Sequence, residues 1–205
     1  MRTVIFFVLG FVASTAAPLS VSSDVMAAPG LTALDRASFL SAMNPAVDLG
    51  TALNYAMMYE EEGVLEGVNP DLAFAQMLLE TSYLKFPGQV RRNQNNFAGL
   101  GALDGGDRGL VFPTPRLGIR AQIQHLKYYA TEQPLTGAPI NPRLAYVKRG
   151  SATTAWSLAK TWASDPDYGN KLMALVARMV AYAERTQTAA RSAAPAVAQG
   201  RSAGD

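Results

Sequence analysis

One stretch, NPDLAFAQMLLETSYLKF at residues 69–86, decides most of what this chain can become. It reads as a helix with a clean start. Asn69 caps it, Pro70 suits the first helical position, and Asp71 suits the positive end of the helix dipole. No further charge appears until Glu80. Between them Leu72, Ala73, Phe74, Ala75, Met77, Leu78 and Leu79 cover most of the helix circumference, which is the pattern of a helix buried in a core. A carboxylate there is costly unless it is paired, protonated or placed at a cleft. Gln76, one turn earlier on the same face, is in reach of Glu80. Apolar neighbours raise a carboxyl pKa, which prepares a general acid. The competing reading places Glu80 on the exposed edge of the helix.

The rest of the chain sets limits on the chemistry. Its 205 residues suffice for one ordinary domain, and 49% hydrophobic against 17% charged residues is a globular composition. A net charge of +2 without a basic, aromatic-interleaved stripe gives no basis for nucleic-acid binding. There is no cysteine and one histidine, His125. Disulfides and thiolate metal sites are excluded, and a single histidine argues against a histidine metal site or a Ser-His triad. No metal or cofactor is expected. Carboxylates, hydroxyls, amides and tyrosines remain.

Residues 1–28 read as an export signal. Arg2 precedes the apolar run VIFFVLGFVA at residues 4–13, which is short for a bilayer span. Small-residue cleavage sites follow at Ser14-Thr15-Ala16 and at Val25-Met26-Ala27, the later one leaving a start at Ala28; an uncleaved anchor is the alternative. Either way the domain is expected outside the cytoplasm, periplasmic or extracellular in the cell wall, with no stable membrane insertion after cleavage. Helices are expected over residues 31–43, 47–62, 69–86, 114–130, 151–163 and 168–185. Residues 87–116 form a glycine-rich loop, with a turn at Asp104-Gly105-Gly106-Asp107 and a returning strand at Leu110-Val111-Phe112. A loop this long inside a compact domain is usually functional. Residues 186–205 read as a disordered tail. The domain is therefore residues 31–185, mainly helical, with one loop or hairpin lobe and a groove between them.

Four segments, taken in order, resemble a known family. They are Ala75-Gln76 with Glu80-Thr81, Asn95-Asn96-Phe97 with Gly99-Leu100, Gly118-Ile119-Arg120-Ala121, and Trp162-Ala163-Ser164-Asp165-Pro166-Asp167-Tyr168. Together they are similar to the glucosaminidase family of cell-wall hydrolases, glycoside hydrolase family 73. The resemblance implies a lysozyme-like helical body and an endo-β-N-acetylglucosaminidase that cuts the β-1,4 bond after N-acetylglucosamine in peptidoglycan glycan strands. It places the catalytic general acid on Glu80 and a cleft-facing tyrosine on Tyr168. Asn96 and Phe97 match the segment that closes the loop over the site. The family commonly carries small or Gly-Trp-Gly residues after the glutamate, whereas this chain has Thr81-Ser82-Tyr83-Leu84. A second carboxylate, where members have one in the lobe, falls on Asp104 or Asp107, whose Asp-Gly-Gly-Asp setting turn chemistry alone also explains. Without it, the substrate's own acetamido group is the physical alternative. Gln76 and Tyr83 complete the candidate substrate contacts, Tyr83 being equally a cap on the core. His125 reads as a packed histidine, and of Trp156 and Trp162 at least one reads as core. A lytic transglycosylase and a silent glycan-binding module are the competing functions. A monomer is expected.

Overall fold

The computed structural model describes residues 19–102 and 109–193. The apolar run read as an export signal, the turn expected from Asp104 to Asp107 and the end of the segment read as a tail lie outside them. α1 (Ala33–Met43) starts at Thr32, whose hydroxyl accepts from the Asp35 N–H while the Asp35 carboxylate accepts from the Thr32 N–H. α2 (Leu49–Glu66) is capped by Asp48 and ends on Gly67 in the left-handed conformation. It runs past Gly63, where the sequence suggested a stop. Gly63 serves packing instead, since a β-carbon on it would lie 2.8 Å from the Val68 carbonyl oxygen. α3 (Pro70–Glu80) is capped by Asn69 and is shorter than expected, ending on Glu80 itself. α4 (Pro115–Ala130) begins at Thr114 and Pro115, as the sequence indicates.

Two further expectations are corrected. Residues 151–163 form a short 3-10 turn, Trp156–Leu158, rather than a helix. The hydroxyls of Thr154 and Ser157 satisfy local backbone groups there and compete with helix formation. α5 (Tyr168–Ala193) continues well beyond Arg185 into residues read as tail. These residues are alanine-rich, good helix formers, and they extend the helix past the core.

α3 is the centre of the body and touches each of the other four helices. Leu72, Phe74, Met77 and Leu78 have at most 1% of their surface exposed. Each contributes roughly 1.5–3 kcal/mol by leaving water. The start of α3 is held by a buried pair, Arg36 on α1 and Asp71, whose second oxygen accepts from the backbone of Gly30 and Leu31. Residues 19–30 thus belong to the folded body, which begins earlier than residue 31. Val25 is fully buried, its N–H donates to Thr153 (2.9 Å), and its carbonyl accepts from Asn69 (2.8 Å). The segment runs as a strap across the start of α3.

The architecture is the mainly helical one expected of a lysozyme-like domain, with a glycine-rich lobe between α3 and α4. Among the described residues the lobe contains no named strand. Among the described residues, the backbone bonds from Leu110 to Leu100 and from Phe112 to Gln94 close it.

Candidate active site

Glu80 is aimed by the way α3 stops. The Thr81 hydroxyl donates back to the Met77 carbonyl (2.7 Å) and accepts from the Leu84 N–H (2.8 Å). Ser82, Tyr83 and Leu84 then take left-handed φ values of 49°, 59° and 62°, and Phe86 follows at 53°. Each such non-glycine residue costs about 1–2 kcal/mol. The cost is offset by burial of Leu84 and Phe86 and by bonds from Asn44 to the Tyr83 carbonyl (2.7 Å) and from Arg92 to the Leu84 carbonyl (3.0 Å). The chain turns away from the helix axis, and Glu80 is left facing the lobe.

The lobe meets it with bare backbone. Asn96 is buried and acts as the staple: its side-chain oxygen accepts from Ala98 and Leu100, and its nitrogen donates to the carbonyls of Leu100 and Leu110. Gly99, at φ 65°, comes so close that a methyl built on it would lie 3.7 Å from Glu80 Oε2. Gly118 on α4 seats the lobe, because any β-carbon there would collide with the Asn95 carbonyl. Two cavities flank this contact. One, about 210 Å³, is lined by Glu80, Thr81, Asn96 and Gly99. The other, about 430 Å³, lies beyond Gly99, between His125, Arg143, Tyr146 and Trp162. The second is within the size range of small-molecule sites.

Glu80 as a residue opens to the groove, while its carboxyl end is closely surrounded by protein. That burial pushes its pKa above the ordinary glutamate value, against hydrogen bonds from Tyr168 and, more weakly, Trp162. Tyr168 donates to Glu80 Oε1 at 2.6 Å and accepts from Gln76 Nε2 at 3.0 Å. Burial first, then the neighbouring Glu80 charge and hydrogen bond, hold the Tyr168 phenol well above the usual tyrosine range. It remains a proton donor at any working pH. A carboxyl group with raised proton affinity, open on one side and fixed by a phenol on the other, is equipped to protonate a leaving oxygen.

The other candidate residues divide. Gln76 is fully buried and donates to Tyr168, which in turn donates to Glu80. Asn96 lines the smaller cavity, yet its side chain is fully engaged in shaping the lobe. Phe97 is corrected: it is 2% exposed and packs in the core against Tyr55 and Phe86. Tyr83 stands at a separate shallow groove with Leu79 and Arg178, its hydroxyl accepting from Arg178. Asp104 and Asp107 lie outside the described residues. Among the described residues no second carboxylate lines either cavity.

Sequence reasoning underrated Trp162, which links Glu80 to the larger cavity. Its position at the head of the Trp-Ala-Ser-Asp-Pro-Asp-Tyr segment was the available signal. Trp156 is exposed. His125 is a packed histidine, edge-on to Tyr129 and Trp162 and bonded to Asn141. Burial lowers its pKa to about 4, so it stays neutral.

A protein of Borreliella burgdorferi, described as uncharacterized, is 40% identical over 148 residues, covering 72% of each chain. No solved structure matches. The family model described as mannosyl-glycoprotein endo-beta-N-acetylglucosaminidase matches residues 56–180, a span that begins in α2, takes in Glu80, the lobe and Tyr168, and ends in α5. With more than half its length under that model, and Glu80 and Tyr168 in hydrogen-bond contact inside it, the chain belongs to the glucosaminidase family.

Proposed function

We propose that this member of a glycoside hydrolase family is an endo-β-N-acetylglucosaminidase acting on peptidoglycan, with Glu80 as its general acid. The observation that carries the reading is the Glu80 carboxyl itself, raised in pKa by burial, held on one oxygen by Tyr168 and open to the groove. The protonated carboxyl gives its proton to the glycosidic oxygen. The C1–O bond breaks with its electron pair going to that oxygen, and Glu80 is left as a carboxylate that the Tyr168 phenol steadies. Water meets the positive charge at C1, directly or after the substrate's acetamido oxygen has bridged it, and the proton it loses returns Glu80, directly or through solvent, to its acid form.

The test is a digest of purified sacculi with product analysis. New reducing N-acetylglucosamine ends are expected, and Glu80→Gln lowers the rate at least about a hundredfold. Undiminished cleavage by Glu80→Gln overturns the assignment. The lack of a second carboxylate among the described cavity residues favours one further reading, a lytic transglycosylase, because a single acid suffices when the sugar's own hydroxyl attacks C1. That reaction leaves 1,6-anhydro-muramic ends in the same digest. Binding without released fragments would mark a glycan-binding module.

The substrate lies outside the cytoplasm, so the reading includes export with removal of the leader at the earlier site, after Ala16. Support comes from the strap: a cut after Ala27 would remove the fully buried Val25 and its bonds to Thr153 and Asn69. Among the described residues no helix is long and apolar enough to cross a membrane. Sequencing the N-terminus of the exported protein is expected to find a start just after Ala16, and a start at Ala28 overturns this part.

A further inference from the structure

The bond from Tyr168 to Glu80 is the last link of a buried series that crosses four helices. Tyr59 on α2 donates its hydroxyl to Gln122 Oε1 on α4 (2.6 Å). Gln122 Nε2 donates to Gln76 Oε1 on α3 (2.8 Å) and also to the Ala73 carbonyl (3.0 Å). Gln76 Nε2 donates to the Tyr168 hydroxyl oxygen (3.0 Å), and Tyr168 on α5 donates to Glu80 Oε1 (2.6 Å). Tyr59, Gln76 and Gln122 are fully buried, and Tyr168 is 5% exposed.

Every donor points the same way, and one atom sets the direction. A backbone carbonyl only accepts, so Ala73 obliges Gln122 to turn its nitrogen toward α3. The second N–H of that nitrogen meets Gln76, which must answer with its oxygen. The Gln76 nitrogen therefore faces Tyr168, whose oxygen accepts, and the single Tyr168 proton is left for Glu80. Bonds aligned in this manner polarise one another.

We propose that Gln122 and Gln76 are positioning residues, which hold Tyr168 as a one-way donor to Glu80 Oε1 and so reserve Oε2 for the transferable proton. The proposal rests on Glu80 being the general acid. Oε2 is the oxygen that lies against Gly99, on the cavity side. With the series broken, Gln76 can rotate and take the Tyr168 proton on its own oxygen. Glu80 then loses a donor, and its proton is free to sit on either oxygen. The groups around Glu80 leave few other sources of a pH effect. Tyr168 faces it from α5 and Trp162 from the preceding loop. Behind Trp162, α4 offers His125, neutral down to about pH 4, and Tyr129. Arg143 and Tyr146 come from the loop after α4 and line the larger cavity. Lobe residues 98–102 present no titratable side chain.

The sign follows from the bond. A donor to Glu80 favours its carboxylate, so losing it raises the pKa and carries the alkaline limb of the pH–kcat/KM profile upward. Gln122→Met in the full chain is expected to move that limb up by about one pH unit and to lower kcat roughly tenfold. Tyr168→Phe is expected to move it similarly, and adding Gln122→Met to Tyr168→Phe should move it no further. The same shift measured on both backgrounds, or a folded Gln122→Met protein with an unmoved limb, overturns the proposal. If Gln122→Met does not fold, Gln76→Leu breaks the series one link later and carries the same comparison. A ¹³C NMR titration of the Glu80 carboxyl reads the shift without turnover. A wild-type chain that cleaves nothing refutes the general-acid reading, while the titration still decides the role of the glutamines.

Discussion

Left-handed backbone flanks Glu80 on both sides, and the two segments use it in opposite ways. In the lobe, Gly99, Gly101 and Gly109 hold φ values of 65°, 76° and 81° and adopt them without strain. After α3, residues with side chains, Ser82, Tyr83, Leu84 and Phe86, hold comparable values at a cost. The difference follows from what each segment must present. The lobe has to bring main chain close to Glu80 and to its own return, and a β-carbon on Gly101 would lie 3.0 Å from the Leu110 side chain. The turn after α3 faces the core and needs Leu84 and Phe86 to fill it. Strain is accepted where side chains repay it by burial, whereas in the lobe the left-handed positions fall on glycines and on Asn95, at φ 50°, a residue type that tolerates this region.

The largest effect is expected from unseating the lobe. Gly118→Ala puts a methyl 1.7 Å from the Asn95 carbonyl oxygen. It should destabilise the protein by about 3 kcal/mol in chemical denaturation and abolish cleavage with it. A fully active Gly118→Ala protein would mean that the lobe need not be held so tightly. On the other side, Ser82→Gly should do the reverse. Ser82 is only half-buried, so the change relieves strain at little packing loss and should stabilise by about 1 kcal/mol. A loss of stability there would show that the left-handed turn is not strained.

Glu80→Gln gives the smallest expected change in stability, and a pH-dependent one. The folded pKa of Glu80 lies above the unfolded value, so the folded state disfavours the carboxylate. Below the unfolded pKa both states are protonated and there is no penalty. The penalty grows as pH rises through the folded pKa. The variant should therefore melt higher than wild type at about pH 8 and indistinguishably at about pH 3. A constant difference would detach Glu80 from this titration.

Much of the body was legible because its caps are strong. Thr32 with Asp35, Asn69 with Pro70, and Thr114 with Pro115 are chemical starts that need no tertiary help. The ends were harder. Gly63 looks like a stop but exists for the close approach of residues 68–70. The end of α3 depends on Thr81 bonding back to Met77 and on Asn44 and Arg92 reaching in from elsewhere, which local pattern does not reveal. In the candidate site, the motif pointed to Glu80 and Tyr168, which the fold brings into hydrogen-bond contact. Phe97 was not, because a loop phenylalanine looks the same whether it faces a groove or the core. Gln122 was missed for a related reason: its role is set by the Ala73 carbonyl across a helix interface, and neither residue is unusual alone.

The end of α3 also bears on where its two acids sit along one electric axis. Peptide dipoles sum along a helix, leaving partial positive charge at the start and partial negative charge at the end. Asp71 occupies the first turn, with Arg36 as its cation. Glu80 occupies the last position and, among the described residues, has no cation. The axial field thus adds to burial in holding the proton on Glu80, while at the other end it favours the ion pair that anchors the strap. Shifting the carboxylate to the first turn of an equally buried helix would reverse the sign of that contribution. The same eleven-residue element holds one acid as an ion pair at its positive end and a second, without a cation among the described residues, at its negative end.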